Sequence, residues 1–313
     1  MLDPVELFPE ISNLYEFPSV HADMVFDATR VRSYESAIRR TVNPGDVVVD
    51  VGAGTGLLSF LCVKAGARLV YAIERSPILE WAKALARDNQ MQDAIVFHNM
   101  DSRDVILPES ADVVVSEIIG HLAFEEGLAE ALVDAKSRFL RPGGTLIPGA
   151  TTLYSALVHE HELYPTYIDG WGTLWGINYS RLREKACKTV YICQIPERDL
   201  LSRPQAILAT DFSEVVDELD GKHFSYRVLR DGLVNGLAFW FDASLAQHVS
   251  LSSGPWVNSH WKQAFVPFER PLNVRRDEQV TVAISLKFRK LRTDSFSFSA
   301  VPVLDFGGGL AHK

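Results

Sequence analysis

The residues whose types and spacing most directly suggest chemistry form a glycine-rich turn. Gly52, Gly54 and Gly56 follow the apolar run 47–49, so the chain passes from a predicted strand into a predicted helix through glycines. Glycines at this place let the backbone turn tightly and approach a ligand closely. Their spacing, Gly-x-Gly-x-Gly, differs from the Gly-x-Gly-x-x-Gly of dinucleotide-binding turns. We therefore expect a cofactor other than a dinucleotide at this turn.

Acidic residues end the first two predicted strands. Asp50 lies just ahead of the glycines, where a carboxylate can meet a ligand ammonium, directly or through water, but would repel a pyrophosphate. The alternative role of Asp50 is to cap a helix terminus. Glu74 ends the next strand, where an acid can accept two hydrogen bonds from ribose hydroxyls. A dehydrogenase could use Glu74 in the same way, so this residue alone does not discriminate.

Asp101 and Ser102 follow the third predicted strand, in a place suited to reading an adenine amino group. Asp50 and the glycine spacing favour S-adenosylmethionine, which carries an ammonium group and no pyrophosphate. The expected product is S-adenosylhomocysteine.

The fourth predicted strand leads into a segment with acids at both ends. Glu117 and Glu126 bound this segment, which emerges at the carboxyl edge of the sheet, where doubly wound folds place their ligands. Two acids can grip a guanidinium, because it is planar and offers paired N–H donors. Carboxylates that draw the charge toward one nitrogen leave another more nucleophilic, ready for in-line attack on a sulfonium methyl. The alternative is that Glu125 and Glu126 merely begin a helix, where acids suit the dipole.

The elements that must position these residues alternate between strands and helices up to Pro148. Such alternation predicts a parallel sheet covered on both faces. The predicted strands are 47–49, 69–73, 94–97, 113–115 and 144–147, and the predicted helices are 57–64, 77–89 and 124–140. Residues 1–40 have a helical pattern and precede the first strand.

After Pro148 the apolar residues recur with period two. The alternation is strict over 295–299 and nearly so over 280–286, and 237–241 is a third candidate. These patterns predict antiparallel strands with one solvated face. The predicted fold is therefore α/β, with a doubly wound Rossmann-like domain followed by an antiparallel β-barrel-like domain. The predicted divisions are 1–40, a helical segment closing the cofactor site; 41–148, the cofactor-binding domain; and 149–313, the substrate domain.

An aromatic stripe lies between the two halves. Tyr167, Trp171, Trp175 and Tyr179 are four residues apart, a spacing that predicts one face of a helix. One interpretation is packing against the β domain. The other is a docking arm for a second subunit, since aromatic residues are enriched at interface cores.

The net charge, the cysteines and the lengths of the apolar runs indicate which classes of partner and location are excluded. The 313 residues have a formal net charge of -9, which argues against a nucleic-acid partner, because such binders must neutralise phosphates. Cys62, Cys187 and Cys193 form no Cys-x-x-Cys pair, which favours reduced thiols and no metal site. The N-terminus lacks the pattern of a signal peptide, and no apolar run approaches the ~20 residues that cross a bilayer. We expect a cytoplasmic protein.

These motifs together resemble the protein arginine methyltransferase family. Segments 49–56, 72–74 and 116–126 carry the resemblance in the sheet domain. The residues that match the family's N-terminal helical motif are Tyr15, His21, Met24, Asp27 and Arg30. The segment 258–263 resembles the family's Thr-His-Trp loop. The resemblance spans residues 15–305.

The resemblance implies roles for matching positions. Glu117 and Glu126 would hold the guanidinium, and Asp27 and His260 would form a catalytic pair that provides a proton exit. Without this context a lone histidine such as His260 is more often structural. The full set of candidate cofactor-binding residues is Tyr15, Met24, Arg30, Asp50, Gly52, Gly54, Gly56, Glu74, Asp101, Ser102 and Glu117. The candidate substrate-binding residues are Tyr15, Glu117, His121, Glu126, His260 and Trp261.

The resemblance also assigns roles to two residues of the helical segment and to the aromatic stripe. The resemblance implies that Arg30 binds the cofactor carboxylate and that Met24 lines the pocket beside the methyl group. The aromatic stripe falls where the family carries its dimerisation arm, at about 162–186, which implies a homodimer.

The chain also departs from the family's pattern. Ser259 stands for the usual Thr, His121 for Tyr, Glu125 for the aromatic before the second acid, and Leu128 for a frequent Met. These positions face or support the substrate pocket, so the acceptor and the number and symmetry of methyl groups stay open, although Met24 favours a pocket that avoids symmetric dimethylation. The residue that reads adenine is Asp101 or Arg103.

The leading hypothesis is methyl transfer to a guanidinium nitrogen of arginine, either in a protein or as free L-arginine in small-molecule biosynthesis. One alternative is a small-molecule methyltransferase acting on another nucleophile. Another is a catalytically silent, cofactor-binding scaffold, against which the intact acids Glu117 and Glu126 argue.

Overall fold

The computed structural model describes residues 18–214, 219–287 and 297–303. The strands of its first half are β1 (Val47–Val51), β2 (Leu69–Ile73), β3 (Ile95–His98), β4 (Ala111–Ser116) and β5 (Leu140–Ile147). They form one parallel sheet in the order β3-β2-β1-β4-β5, which confirms the predicted doubly wound arrangement. The central strand β1 is buried along its whole length, as a parallel strand covered on both faces should be.

The helices of this half are α1 (Pro18–Phe26), α2 (Ala28–Thr41), α3 (Leu57–Ala65), α4 (Leu79–Asp88) and α5 (Leu128–Arg138). The last of these is shorter than the helix predicted over 124–140. The backbone has positive φ at Ala123 (69°) and at Gly127 (85°), so the chain cannot be helical through either residue. Glu125 and Glu126 therefore precede the helix and do not form its first turn.

The second half is antiparallel, as the period-two pattern predicts. Its main strands are β6 (Ala150–Val158), β9 (Tyr191–Cys193), β10 (Gln205–Thr210), β12 (Gly232–Ala246), β13 (Val249–Ser252) and β14 (Gln263–Val274). Five of these follow the order β10-β6-β12-β14-β9, and β13 pairs with β12. A smaller sheet contains β11 (Leu219–Arg227), β15 (Gln279–Lys287) and β16 (Ser297–Val303), in the order β11-β15-β16. Residues 295 and 296 of the predicted alternating run lie outside the described residues.

The aromatic stripe is not one helical face, and that prediction was wrong. Tyr167 lies in a short π-helical turn (Tyr164–Ile168), whereas Trp175 lies in the hairpin between β7 (Thr173–Leu174) and β8 (Ile177–Asn178). A helix, α6 (Ser180–Cys187), begins only after the stripe has ended. The hairpin forms because Trp175 and Gly176 both have positive φ, 56° and 78°, which suits a tight two-residue turn.

The two halves share one hydrophobic core. It runs from the sheet residues Val49 and Ile147 into Leu153 and Phe241 of the antiparallel strands. Parallel pairing ends at Ile147 and antiparallel pairing begins at Ala150, on either side of the predicted boundary. The division of the chain into domains stays a prediction. Within the described ranges, no helix is long and apolar enough to cross a membrane.

Candidate active site

The glycine turn between β1 and α3 is packed against two other segments. Gly52 and Gly54 have φ of 76° and 54°, a conformation that glycine adopts without strain. A Cβ atom at Gly52 would lie 2.6 Å from Cγ2 of Ile118, and one at Gly54 would lie 3.3 Å from Cε1 of His21. The turn is therefore enclosed by α1 on one side and by the segment after β4 on the other. His21, which the sequence motif included without a role, closes this turn.

Asp50 lies inside the sheet domain and is not exposed. Its Oδ2 accepts a hydrogen bond from Oγ of Ser59 at 2.6 Å, and its Oδ1 is buried without a partner among the described residues. Burial raises the pKa of Asp50 to about 7, although the bonds from Ser59 oppose this. Because Ser59 is in the first turn of α3, the carboxylate ties β1 to that helix. The free oxygen is the one available to a ligand ammonium or to a bridging water.

Glu74 follows β2 and faces the same turn. Its Oε2 accepts a hydrogen bond from the backbone N of Gly54 at 3.1 Å, and its Oε1 accepts one from the backbone N of Ser76 at 2.7 Å. Each carboxylate oxygen has two lone pairs, so both can still accept a ribose hydroxyl. The structure thus brings the predicted ribose acid directly onto the glycine turn.

The candidate adenine residues lie after β3. Asp101 holds Arg103 through the backbone N at 3.0 Å and through Nε at 2.7 Å, and this side-chain bond is the main reason why the pKa of Asp101 falls to about 2. Asp101 and Ser102 begin a 3₁₀ turn, Ser102–Asp104. The side chains of Asp101 and Arg103, the two alternatives for reading adenine, therefore form one ion-paired unit.

Arg30 joins the helical segment to the acceptor side of the site. Its guanidinium forms an ion pair with Glu117, and its Nη1 donates to the carbonyl oxygen of Met24 at 2.9 Å. Both partners in the ion pair are nearly buried, with 9% and 4% of their side chains exposed. Glu117 also accepts a hydrogen bond from the backbone N of Ile119 at 3.2 Å. The pair fixes the direction of a carboxylate that directly follows β4.

Asp27 and His260 form the pair that the resemblance implies, across 233 residues of sequence. Oδ2 of Asp27 accepts hydrogen bonds from the backbone N and from Nδ1 of His260, each at 2.9 Å, while its Oδ1 accepts from the backbone N of Arg30 at 3.0 Å. Burial would raise the pKa of Asp27, but these three bonds lower it overall. Burial also lowers the pKa of His260, against the opposing effect of Asp27. His260 is therefore neutral near neutral pH, with Nδ1 protonated and Nε2 free to accept a proton.

Trp261 and His121 hold the segment after β4 against the 258–263 loop. Nε1 of Trp261 donates to the carbonyl oxygen of Ile119 at 2.7 Å, and Nδ1 of His121 donates to the carbonyl oxygen of Trp261 at 2.7 Å. Trp261 is buried and contacts Phe241 of β12 edge to face, with ring centroids 5.1 Å apart. Trp261, predicted to bind substrate, thus acts first as a structural tie between the two halves.

Glu125 and Glu126 lie just before α5 and differ in burial. Glu126, the second predicted guanidinium ligand, is exposed. Glu125 instead folds back, and its two oxygens accept from the backbone N of Leu122 at 2.9 and 3.0 Å. Its sequence position gave no sign of this, because an acid before α5 is equally well explained by the helix dipole. Tyr15, the remaining candidate, lies outside the described residues.

Comparisons with known proteins bear on both halves. Residues 149–299 match the family described as the arginine methyltransferase oligomerization subdomain, and residues 20–144 match the TRM5/TYW2 methyltransferase domain. Protein arginine N-methyltransferase 6 of Xenopus laevis is 30% identical over 294 residues, covering 88% of this chain and 86% of its own length. Protein arginine N-methyltransferase 6 of Danio rerio is 30% identical over 290 residues, covering 87% and 82%. The chain belongs to the protein arginine N-methyltransferase family.

Solved structures agree with this family in their fold. The Trypanosoma brucei PRMT1 enzyme-prozyme heterotetrameric complex with AdoHcy has a TM-score of 0.82 at 20% identity, and covers 92% of this chain and 99% of its own. Arabidopsis thaliana protein arginine methyltransferase 10 has a TM-score of 0.77 at 20% identity, with coverage of 93% and 99%. The resemblance to the arginine N-methyltransferase family and the predicted fold class are both confirmed.

Proposed function

We propose that this protein transfers the methyl group of S-adenosylmethionine to a guanidinium nitrogen of arginine residues in proteins. Family membership confirms the predicted enzyme class and the predicted cofactor. The observation that supports the choice of acceptor group is the pair of contacts Arg30–Glu117 and Asp27–His260, which offer a fixed carboxylate and a candidate proton acceptor. Polypeptide acceptors are supported by the names of relatives such as protein arginine N-methyltransferase 1 of Dictyostelium discoideum and protein arginine N-methyltransferase 6 of Xenopus laevis.

The residues of the glycine turn fit the cofactor. Asp50 offers a buried carboxylate oxygen with no partner among the described residues, and Glu74 lies on the turn with acceptor capacity to spare. Arg30 uses three of its five N–H donors on Glu117 and Met24, so two could bind a carboxylate. S-adenosylmethionine, when bound, supplies an electrophilic sulfonium methyl. We propose that these three residues hold its ammonium, ribose and carboxylate groups.

On the acceptor side, Glu117 and Glu126 would orient the guanidinium so that one nitrogen faces the methyl carbon. Methylation would leave that nitrogen with one proton to lose, and a side chain of this protein would have to accept it. Nε2 of His260 takes this proton, because Asp27 holds Nδ1–H and burial keeps the imidazole neutral. Most of the rate would come from position and fixed charge.

The decisive experiment measures transfer of a labelled methyl group to an Arg/Gly-rich peptide, to the same peptide with Lys in place of Arg, and to free L-arginine. We expect labelling of the arginine peptide only. Labelling of free L-arginine alone would replace the polypeptide acceptor by the amino acid. No labelling of either arginine substrate would contradict the proposed function.

We also propose that the protein is a homodimer joined through the segment 162–186, and that it is cytoplasmic. Trp175 is 96% exposed at the tip of the β7–β8 hairpin, and Tyr167 and Ile177 are more than half exposed. So much exposed apolar surface on one small element is typical of an interface. Sedimentation of the unaltered protein should give a mass twice that of one chain. The double variant Trp175→Ser, Ile177→Ser should have the mass of a single chain. A monomeric unaltered protein would contradict the homodimer.

A further inference from the structure

We propose that Glu125 is a positioning residue, which fixes the 117–127 loop and thereby the direction in which Glu126 points. The proposal rests on the proposed function, in which Glu126 contacts the guanidinium. It concerns a residue that the sequence pattern marks only as a departure from the family.

The Glu125 carboxylate closes the loop from inside. Both of its oxygens accept from the backbone N of Leu122, at 2.9 and 3.0 Å, three residues earlier in the chain. It also fills the space where residue 120 has no side chain, since a Cβ at Gly120 would lie 2.2 Å from its Cδ. The carboxylate of Glu125 therefore occupies the space that a side chain at position 120 would need.

The backbone around this carboxylate is tightly turned. Gly120 and Ala123 form an isolated antiparallel bridge, and Ala123 has φ of 69°, a conformation that alanine adopts only at a cost. The Glu125–Leu122 bonds offset that cost locally. Release of the carboxylate would free the turn to relax, and Glu126 is the next residue along the chain.

The outer side of the loop is held independently. His121 donates to the carbonyl oxygen of Trp261, and Trp261 donates to that of Ile119. These bonds anchor 119–121 to the second half of the molecule but do not reach 125–126. Glu125 constrains the end of the loop next to Glu126 through its bonds from Leu122, and the two acids differ in burial, Glu125 being half-buried and Glu126 exposed.

The electrostatic surroundings support a role within the loop. None of the ion pairs among the described residues includes Glu125. Burial raises the pKa of Glu125 to about 7, against the hydrogen bond from Leu122. A half-buried carboxyl that has no ion-pair partner among the described residues is costly to maintain, and such groups occur most often where function needs them.

The test compares Glu125→Ala and Glu125→Gln with the control Glu130→Ala, which removes a half-buried carboxylate from α5 outside the loop. We expect Glu125→Ala to lower kcat for the arginine peptide by about a hundredfold, the effect of misplacing a positioning group by about 1 Å. S-adenosylhomocysteine binding should be unchanged in all three proteins. Glu125→Gln, which can still accept from Leu122, should retain most of the activity, as should Glu130→Ala.

A double-mutant cycle tests the complementarity with Gly120. Gly120→Ala alone should lower activity and melting temperature, because its Cβ overlaps the carboxylate. In the Glu125→Ala background the same change should cost little, since the space has been vacated. Additive effects would overturn the fit between the two residues.

The outcomes separate this inference from the proposed function. An unaltered protein that methylates no arginine substrate contradicts the proposed function itself. An active unaltered protein whose Glu125→Ala variant has the same kcat overturns only the role of Glu125. Loss of S-adenosylhomocysteine binding in Glu125→Ala would also overturn it, because the damage would then extend beyond the 117–127 loop.

Discussion

On the cofactor side of the site, the contacts are made by residues close together in sequence, whereas on the acceptor side they cross the whole chain. Gly54 and Glu74 are 20 residues apart, and Asp50 and Ser59 only nine. Asp27 and His260 are separated by 233 residues, and His121 and Trp261 by 140. The hydrogen bonds of Asp50 and Glu74 can therefore form within the first half of the chain, but the Asp27–His260 and His121–Trp261 pairs form only when both halves have packed together.

The largest effect is expected from Glu117→Gln, which removes the fixed charge that would hold the substrate guanidinium. We expect kcat for an arginine peptide to fall about a hundred- to a thousandfold, the range seen when one preorganised electrostatic group is lost. S-adenosylhomocysteine binding, measured calorimetrically, should persist. The control is Glu109→Gln, which alters an exposed pair with Arg68. Full activity of Glu117→Gln would contradict the assigned role.

The next effect concerns the proton acceptor. His260→Ala should lower kcat about a hundredfold, as expected for loss of a general base. In the unaltered enzyme the neutral form of His260 is active, and burial lowers its pKa, so activity should persist below the usual titration range of histidine and fall only at more acidic pH. Asp27→Asn removes the charge that favours the imidazolium, so the acidic limb of the pH–rate profile should move to still lower pH. If Asp27→Asn does not move the acidic limb, the proposed effect of Asp27 on the pKa of His260 is contradicted.

The two sides also differ in how much of them the sequence could predict. The glycine spacing, Asp50 and Glu74 could be identified because each follows a strand that its own apolar run predicts, and parallel strands bring their carboxyl ends together. The Asp27–His260 pair has no local signal and could be placed only through family resemblance. The sequence marks Glu125 only as a departure from the family, because its folded-back position depends on positive φ at Ala123 and on the missing side chain of Gly120.

The antiparallel half shows the same limit. Period-two alternation predicted its strands, but four-residue spacing misled the interpretation of the stripe from Tyr167 to Tyr179. Helical spacing predicts a helix only if the intervening residues can be helical, and Gly170, Gly172 and Gly176 lie between these aromatics. The hairpin at Trp175 and Gly176 follows from that composition.

The contact of Gly52 with Ile118 links the cofactor side to the acceptor side, so we expect its disruption to affect both sides. Gly52 abuts Ile118, so Gly52→Ala combines a strained left-handed backbone with overlap of the acceptor segment. The matched control is Gly45→Ala, where φ is 95° and no atom lies within 4 Å of the added Cβ. Each change should lower the free energy of unfolding by about 1–2 kcal/mol through backbone strain. Gly52→Ala should cost about 1–3 kcal/mol more through overpacking.

Urea unfolding of the two variants separates the cost of backbone strain from the cost of overpacking. Titration with S-adenosylhomocysteine shows whether the glycine turn is displaced. We expect weakened binding for Gly52→Ala and unaltered binding for Gly45→Ala. Equal loss of stability in the two variants would show that the approach of Ile118 does not constrain the turn.

The last effect is on the pH dependence of stability, and it tests whether burial raises the pKa of Asp50 in the folded protein. Asp50 has a folded-state pKa of about 7, above its usual value, so the folded protein binds a proton more tightly than the unfolded chain does. The free energy of unfolding should therefore decrease as pH rises from about 4 to 7, with a slope of at most about 1.4 kcal/mol per pH unit from this group. Asp50→Asn keeps an oxygen that can accept from Ser59 but removes the titration, so its stability relative to the unaltered protein should increase with pH over this range and then level off. Parallel curves for Asp50→Asn and the unaltered protein, measured by urea unfolding from pH 5 to 8, would contradict a raised pKa of Asp50 in the folded protein.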